Sequence, residues 1–482
     1  MGTGDDARER ARWARLRFAI IGPLLAAPPA PGELGPRLRE LAARTWQHPR
    51  TLQPVRFGVS TIERWFYAAR RAGRDPVGAL ATRVRSDTGQ QRAMSAPVIE
   101  ALRAQYRDHP GWTCQLHYDN LGAALGKAVA LPSYATLRRF MKAQALVRRA
   151  PVRSALRPGE AAAQTHRQSR ETRSFEVEYV GGLWHLDFHH GSRQVLSREG
   201  QWVKPIALAV LDDRSRLACH VQWYLDETTE SLVHGFTQAL QRRGLPRALM
   251  TDNGAAMMAE EFTGGLHALG IVHQTTLPYS PQQNGKQEVF WARLEGRLMA
   301  MLEGVTELRL ALLNTATAAW VEQEYQRSDH SETGQTPLAR WLDGPQVLRE
   351  SPDSQALRAA FRLETTRTQR RSDGTVSLAT RRLEIPARYR HLERVPLRYA
   401  RWDLSAVDLI DARHGTVLCA LYPIDRCANA SGRRRAIARD ENTAPPVPTE
   451  SGIAPLLRAL MAEFAATGLP PPFIPTEQEP RP

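Results

Sequence analysis

Apolar positions recur at helical spacing, with short breaks, from residue 1 to about 147. Leu38, Leu41 and Ala42 set the period, and Thr51-Leu52-Gln53-Pro54 interrupts it. In the segment Gly58 to Gly73, Ile62, Trp65, Phe66 and Ala69 form one apolar stripe. Ser60 with Glu63 three residues on reads as a capping box. Arg64, Arg70 and Arg71 fall mostly off the stripe, which predicts the second helix of a helix-turn-helix. A second such unit comes next. It comprises a capped helix in Ser95–Trp112, a short helix Leu121–Leu125, and a helix in Ser133–Leu146. In the last of these Tyr134, Leu137, Phe140 and Met141 point inward, leaving Arg138, Arg139 and Lys142 outward. A plain bundle with solvated arginines is the bland alternative for both units; DNA reading is the functional one.

From Val177 the period changes from 3.6 to 2. LWHLDFHH, VKPIALAVLDD and LACHVQWYL read as three successive strands. Then come a helix (Glu230 to Arg242), the strand RALMTDN, a helix near Glu260 to Leu269, the strand IVHQTTL and a long helix from about Gln287 to Leu302. The order βββαβαβα predicts a mixed sheet carrying helices, and a further helix spans Glu307 to Tyr325. Short alternating segments with regular turn signals fill about Arg370 to Asp425 and predict a small barrel or sandwich. Ile453, Leu456, Leu457, Leu460, Met461 and Phe464 make one short amphipathic helix near the end. It is read either as docked on its own protein or as a partner-binding helix. The domain expectation is therefore 1–82 and 92–147 for the two helical units, 148–176 for a basic linker, 177–345 for the mixed-sheet core, 365–428 for the β block and 429–482 for a flexible tail.

The composition points to a partner. The 482 residues are 42% hydrophobic and 24% charged, ordinary for a globular chain. No apolar run approaches the length of a membrane span, and no secretion signal is read at the N-terminus. Lys plus Arg number 65 against 50 Asp plus Glu, a net charge of +15, so a polyanion such as nucleic acid is the expected partner. Only four of the bases are lysines (Lys127, Lys142, Lys204, Lys286). A GC-rich coding bias accounts for that skew but not for the positive balance. Seven arginines lie between residues 148 and 173, either a solvated tether or an arm along a phosphate backbone. Cys114, Cys219, Cys419 and Cys427 form no CxxC pair, which argues against a zinc finger or a disulfide framework and fits a reducing, cytoplasmic setting.

Three acids carry the candidate chemistry. Asp187 sits in mid-strand, opposite the face of Trp184, Leu186 and Phe188 and on the face of His185 and His189. Asp252 ends an apolar strand and enters Asn253-Gly254, a sequence that also suits a plain turn. Glu288 opens the long helix, off its Phe290, Leu294, Leu298 and Met301 stripe and near Trp291 and Glu295; alone it reads as a solvated first-turn acid. Thirty-five residues separate Asp252 from Glu288. Acids from two strands and a helix could meet at one sheet edge and hold Mg²⁺ or Mn²⁺. Asp212-Asp213 read as turn residues, His189 as a neighbour of the site, and the Gly122–Lys127 stretch is no phosphate loop.

With these residues in view, LWHLDFHH, VLDDRSR, MTDNGAAM and YSPQQNGKQEVFW resemble the catalytic core shared by retroviral integrases and many bacterial transposases. EYQRSDHSETGQTPLARW resembles the tail of that core, so the match covers about Val177 to Leu342. The resemblance implies a ribonuclease-H-like fold in a multidomain α/β chain. It also implies a DDE transposase that cuts transposon ends and joins them to target DNA. Asp187, Asp252 and Glu288 would be its catalytic metal ligands, with two Mg²⁺ or Mn²⁺ ions per site. Asn253, Gln283, Asn284, Lys286 and Arg293 would meet DNA there, as would Arg64, Arg70, Arg138 and Arg139 in the helical units. The β block is similar to the barrel that follows the core in bacteriophage Mu transposase. Implied partners are transposon-end and target DNA, further copies of the chain on DNA, and a separate AAA+ ATPase for target selection, met by the Ile453–Phe464 helix; no membrane is implied. The setting would be the bacterial cytoplasm, at the nucleoid. One departure is visible: relatives carry basic residues one and two turns after the catalytic Glu, where this chain has Ala292 and Glu295. The zinc-binding His/Cys module of retroviral integrases is also absent. A nuclease of the same fold without strand transfer and a non-catalytic DNA-binding regulator are the alternatives.

Overall fold

The computed structural model describes residues 3–82, 94–126, 129–148, 176–197, 199–276, 285–425 and 452–469. It divides into two compact units, Met1–Ala93 and Met94–Pro482. The first contains α1 (Thr3–Ala26), α2 (Leu34–Ala43), a hairpin of β1 (Trp46–Gln47) and β2 (Pro54–Val55), α3 (Val59–Ala72) and α4 (Pro76–Ala79). The predicted α3 stripe of Ile62, Trp65, Phe66 and Ala69 is buried with Ile20, Ile21, Leu24, Leu38 and Leu41, leaving Arg64 and Arg70 exposed. Two local expectations change. The helix is capped by Gly58, whose extended backbone lets its carbonyl accept from Thr61 and Ile62, so Ser60 lies inside the first turn and makes no capping box. Between α2 and α3 runs the hairpin, not the three- or four-residue turn of a helix-turn-helix.

The second unit opens with α5 (Ala96–Asp108), α6 (Cys114–Leu125) and α7 (Tyr134–Ala143). The expected short helix at 121–125 is longer, because Thr113 caps it by accepting from the Leu116 amide. Leu137, Phe140 and Met141 turn inward with Val98, Leu102 and Leu121, while Arg138, Arg139 and Lys142 stay exposed. This bundle is not set apart from the mixed-sheet core: Trp112 and Leu116 belong to the same apolar cluster as the helices behind the central sheet. Residues 149–175, which include nearly all of the basic linker, lie outside the described residues.

The central sheet contains β3 (Leu183–His190), β6 (Ile206–Asp212), β7 (Ala218–Tyr224), β8 (Ala248–Thr251) and β9 (Val272–Thr275), in the order β7-β6-β3-β8-β9. A small hairpin of β4 (Val195–Leu196) and β5 (Trp202–Val203) interrupts the run from β3 to β6. The first three main strands pair antiparallel, and β3, β8 and β9 run parallel. This is the mixed sheet that the alternating pattern predicts. One face carries Trp184, Leu186, Leu208 and Val210 against α8 (Thr229–Arg243) and α9 (Glu260–Ala268), through Phe236, Leu240, Phe262 and Leu266. The other face is lined by the small residues Ala207 and Ala209. Those let α10 (Gly285–Arg293), its π-helical continuation Leu294–Met299, and α11 (Leu310–Gln323) lie close to the sheet.

The free edge of β7 is closed by side chains. Asn314 accepts from the Trp223 amide at 2.7 Å and donates to the Trp223 carbonyl at 3.1 Å, as a neighbouring strand would. Gln326 donates to the Ala218 carbonyl at 3.2 Å. An unpaired edge is thereby covered. After α12 (Pro337–Asp343) and α13 (Ser354–Ala360) comes a six-stranded antiparallel sheet: β10 (Leu363–Thr368), β11 (Thr375–Leu378), β12 (Arg381–Glu384), β13 (Arg394–Ala400), β14 (Asp403–Ile410) and β15 (Val417–Pro423). Its order is β10-β13-β14-β15-β12-β11, and an Arg370–Thr375 bridge links the run between its first and last strands, so it is nearly closed. It begins at Leu363, ahead of the predicted start, because LETTRT is polar and mostly exposed.

The tail helix α14 (Pro455–Ala466) docks on this unit. Ile453, Leu457, Leu460, Met461 and Phe464 are buried beside α6 and α11, so its apolar face is occupied by the chain itself and is not open to a partner. Residues 426–451 lie outside the described residues. The β7 edge can be tested directly: Asn314→Leu leaves both Trp223 backbone groups buried and unpaired. It should lower unfolding stability by about 2–4 kcal/mol, read as a fall in the urea midpoint with an unchanged slope.

Candidate active site

The register of the parallel strands brings the first two acids together. Leu183 pairs with Ala248 and His185 with Met250. Carrying that register two residues further sets Asp187, mid-way along β3, beside Asp252, the first residue past the end of β8. The carboxyl end of a parallel strand is where open α/β sheets present their ligands. Asp187 is half-buried and Asp252 exposed. Asp252 also shapes its own turn, accepting from the Gly254 amide at 2.9 Å; a Cβ on Gly254 would lie 3.0 Å from that carboxylate oxygen. Asn253 donates to the Thr276 carbonyl at 3.0 Å, tying the exit of β8 to that of β9.

Glu288 arrives on α10, which two side chains pin to the sheet. Buried Gln287 donates to the His185 carbonyl at 3.1 Å and the Ala209 carbonyl at 3.2 Å. One turn on, the Trp291 indole donates to Asp187 at 3.2 Å. Glu288 lies between these anchors in the helix and is exposed. Neither anchor stands out in the sequence. A polar residue in a first turn reads as solvated, and the apolar pattern sets Trp291 off the buried stripe. The spacing 287, 291, 294, 298 is nevertheless a helical stripe, and all four residues are buried.

A second network surrounds Asp187. Trp291 stacks on His189, with ring centroids 4.9 Å apart. His189 Nε2 meets Glu295 at 3.0 Å, and Glu295 accepts from the Ser192 amide at 3.0 Å and from its hydroxyl. Burial would raise the Glu295 carboxyl, but the bonds from His189 and Ser192 outweigh it and hold it below its ordinary value. Glu295 thus braces the wall beside Asp187. His189 lies beside the acids, as expected.

Asp212 and Asp213 are fully buried. Asp212 accepts from Gly181 and Ser215; burial raises its carboxyl. Asp213 accepts from the Val177 amide, His185 and Lys286. Lys286, expected to meet DNA, is therefore drawn into an ion pair behind the site. Arg293 lies over the Tyr325 ring at 5.4 Å and lines two clefts of about 720 and 300 Å³. Gln283 and Asn284 lie outside the described residues. Arg138 and Arg139 stand on the exposed face of α7, and Arg64 and Arg70 belong to the other unit.

The donor set suits a hard cation, since carboxylate oxygens are what Mg²⁺ and Mn²⁺ take. Among the described residues no three His, Cys, Asp or Glu side chains form a ready metal-holding group. Neither Asp187, Asp252 and Glu288 nor His185, His189, His190 and His220 form such a group among those residues.

The Asp213 pair generates a pH prediction. Burial opposes ionisation, but bonds from His185 and Lys286 prevail and hold the carboxyl at about 2. A depressed folded value stabilises the native state above the unfolded value of about 3.9, and that contribution is lost as pH falls toward 2. Asp213→Ala should cost about 3–5 kcal/mol near neutrality by removing the buried carboxylate that His185 and Lys286 share. Urea unfolding at stepped pH should show the gap between wild type and variant narrowing from about pH 4 downward; a constant gap would refute the assignment.

No family model matches the chain. A 62-residue stretch, 13% of the chain, is 37% identical to the Gag-Pro-Pol polyprotein of human T-cell leukemia virus 3 (strain 2026ND); it spans only 4% of that polyprotein. Among solved structures, the catalytic core domain of BIV integrase is 25% identical over 34% of this chain and 95% of its own, with a TM-score of 0.27. The HTLV-2 integrase catalytic core domain in complex with magnesium is 21% identical over 35% of this chain and 98% of its own, also with a TM-score of 0.27. The simian T-cell lymphotropic virus intasome in complex with PP2A regulatory subunit B56 gamma is 16% identical over 53% of this chain and 80% of its own, with a TM-score of 0.32. The chain is thus similar, over about a third of its length, to retroviral integrase catalytic cores.

Proposed function

We propose that this protein is a metal-dependent DNA transposase of the DDE type, which cleaves a DNA strand and joins the freed 3′-hydroxyl to a target phosphodiester. The observation that carries the reading is the parallel register of β3 and β8, which runs toward Asp187 and Asp252, together with the pinning of the helix of Glu288 to β3 on both sides of that acid. The net charge of +15 and the likeness of a short stretch to a retroviral polyprotein favour a nucleic-acid substrate over a small phosphoester.

Asp187, Asp252 and Glu288 would hold Mg²⁺ or Mn²⁺; when bound, the ions supply positive charge at the scissile phosphate and acidify the attacking oxygen. The protein's own contribution is positioning. Trp291 fixes the orientation of Asp187, the Asp252 turn is held by Gly254, and Gln287 sets the height of Glu288 above the sheet. Water attacks in the cleavage step and the 3′-hydroxyl in the joining step, both at the exposed rim where the DNA backbone can lie. Arginines 138 and 139, on the exposed face of α7, supply phosphate contacts, with Arg64 and Arg70 doing so in the N-terminal unit. One site per DNA end calls for several copies on a synapsed pair of ends.

The decisive experiment is a Mn²⁺-dependent assay on labelled DNA carrying the gene's own flanks. Wild type should give joined strands. Glu288→Gln should bind the flanks nearly as well but lose several kcal/mol of charge stabilisation, on the order of a thousandfold in rate. Free ends without joined strands would make the protein a nuclease. Flank binding with no cleavage by wild type would make it a regulator.

A further inference from the structure

We propose that the β4–β5 hairpin forms a stacking site for an unpaired DNA base next to the catalytic edge, with Trp202 as its platform. The inference rests on the DNA-processing reading above. A large aromatic side chain on a soluble protein is ordinarily covered, yet Trp202 is 49% exposed. It lines an open groove of about 610 Å³ with Ser192, Arg193, Gln194 and Lys204. That volume falls within the roughly 300–1,000 Å³ of small-ligand clefts and has room for a nucleotide. Lys204 and Gln194 are exposed at its rim. A flat ring beside an ammonium and an amide is the chemistry that takes a base by its face and its phosphate by charge.

The groove is held rigidly. Arg193 donates to the Leu302 and Val305 carbonyls, where the long helix ends, and the Leu196 amide donates to the Leu308 carbonyl at 2.7 Å. Ser192 is held by Glu295, which also meets His189, the ring stacked on the Asp187 partner Trp291. The groove is thus joined to the acids through one continuous set of contacts. Ser192 lies five residues beyond Asp187 along the same chain direction. At about 3.3 Å per residue it stands within roughly 16 Å of the acid, the reach of a few nucleotides. A strand that leaves the duplex beside Asp187 would have the groove and its Trp202 ring within reach. This site would favour DNA ends that are frayed or carry single-stranded flanks, with modest dependence on base identity because every base offers a π-face.

The test is anisotropy binding of the full-length protein to a labelled short duplex, blunt or carrying a short thymidine overhang, at fixed salt and without divalent metal. Wild type should prefer the overhang by roughly fivefold or more, the scale of aromatic–base stacking. Trp202→Ala should abolish the preference, Trp202→Phe should keep most of it, and Lys204→Gln should weaken both DNAs alike. Urea midpoints near wild type would certify the variants as folded. Equal wild-type binding to both DNAs, or a preference that survives Trp202→Ala, overturns the proposal. So does a Trp202→Ala protein that keeps the preference but sediments as a smaller species, which would make the hairpin a contact between copies. Glu288→Gln should retain the overhang preference. Joined flanks without the preference would sink the groove alone; the preference without joined or cleaved strands would sink the catalytic reading alone.

Discussion

The packing of the helix that carries Glu288 against the central sheet depends on one buried amide. Gln287 reaches from α10 to the carbonyls of His185 and Ala209 on neighbouring antiparallel strands. Those carbonyls already serve the sheet, so the amide uses their second lone pairs. The contact is possible only because the strands present Ala207 and Ala209 on that face, where larger side chains would hold the helix away. Fixing α10 at this height fixes Glu288, the next residue. The backbone position of this acid therefore depends on a buried polar neighbour.

The same helix is constrained a turn further on. Trp291 is at once an apolar core residue, a donor to Asp187 and a stacking partner for His189. Such a residue restricts the carboxylate of Asp187 without entering the chemistry, as outer-shell hydrogen bonds do around metal ligands. Glu295 continues the same network, facing inward to His189 and Ser192.

What the sequence made legible was whatever lies in local period and order. The alternating LWHLDFHH gave the strand and the face of Asp187, and the spacing of 252 and 288 gave the candidate triad. The strands of the barrel followed from turn signals except for LETTRT, whose polar threonines carry no apolar alternation. The hairpin at 46–55 escaped because two-residue strands are too short to show a period. The buried ties of Asp213 to His185 and Lys286 escaped for a different reason. They join residues 28 and 73 positions apart, and no local pattern distinguishes a lysine that pairs inward from one that faces DNA. The tail helix illustrates the same limit: its stripe marks it as amphipathic, but only the fold shows which surface covers it.

Arg297 connects these local facts to the larger arrangement. It lies on the π-helical continuation of α10 and pairs with Glu324, just past the end of α11, and at 2.6 Å with Asp119 of α6. With side chains largely withdrawn from solvent, such a paired set resists separation, since removing one partner leaves the others buried and charged. Trp112 adds a donor bond to the Ala300 carbonyl at 3.1 Å, and Asn120 accepts from the Leu456 amide of the tail helix. The bundle that displays Arg138 and Arg139 is therefore fastened to the very helix that carries Glu288. Under the proposed function, DNA held by those arginines would be presented to the acids in a fixed relation. Specificity of cutting would then come from the docking of α6 on this helix.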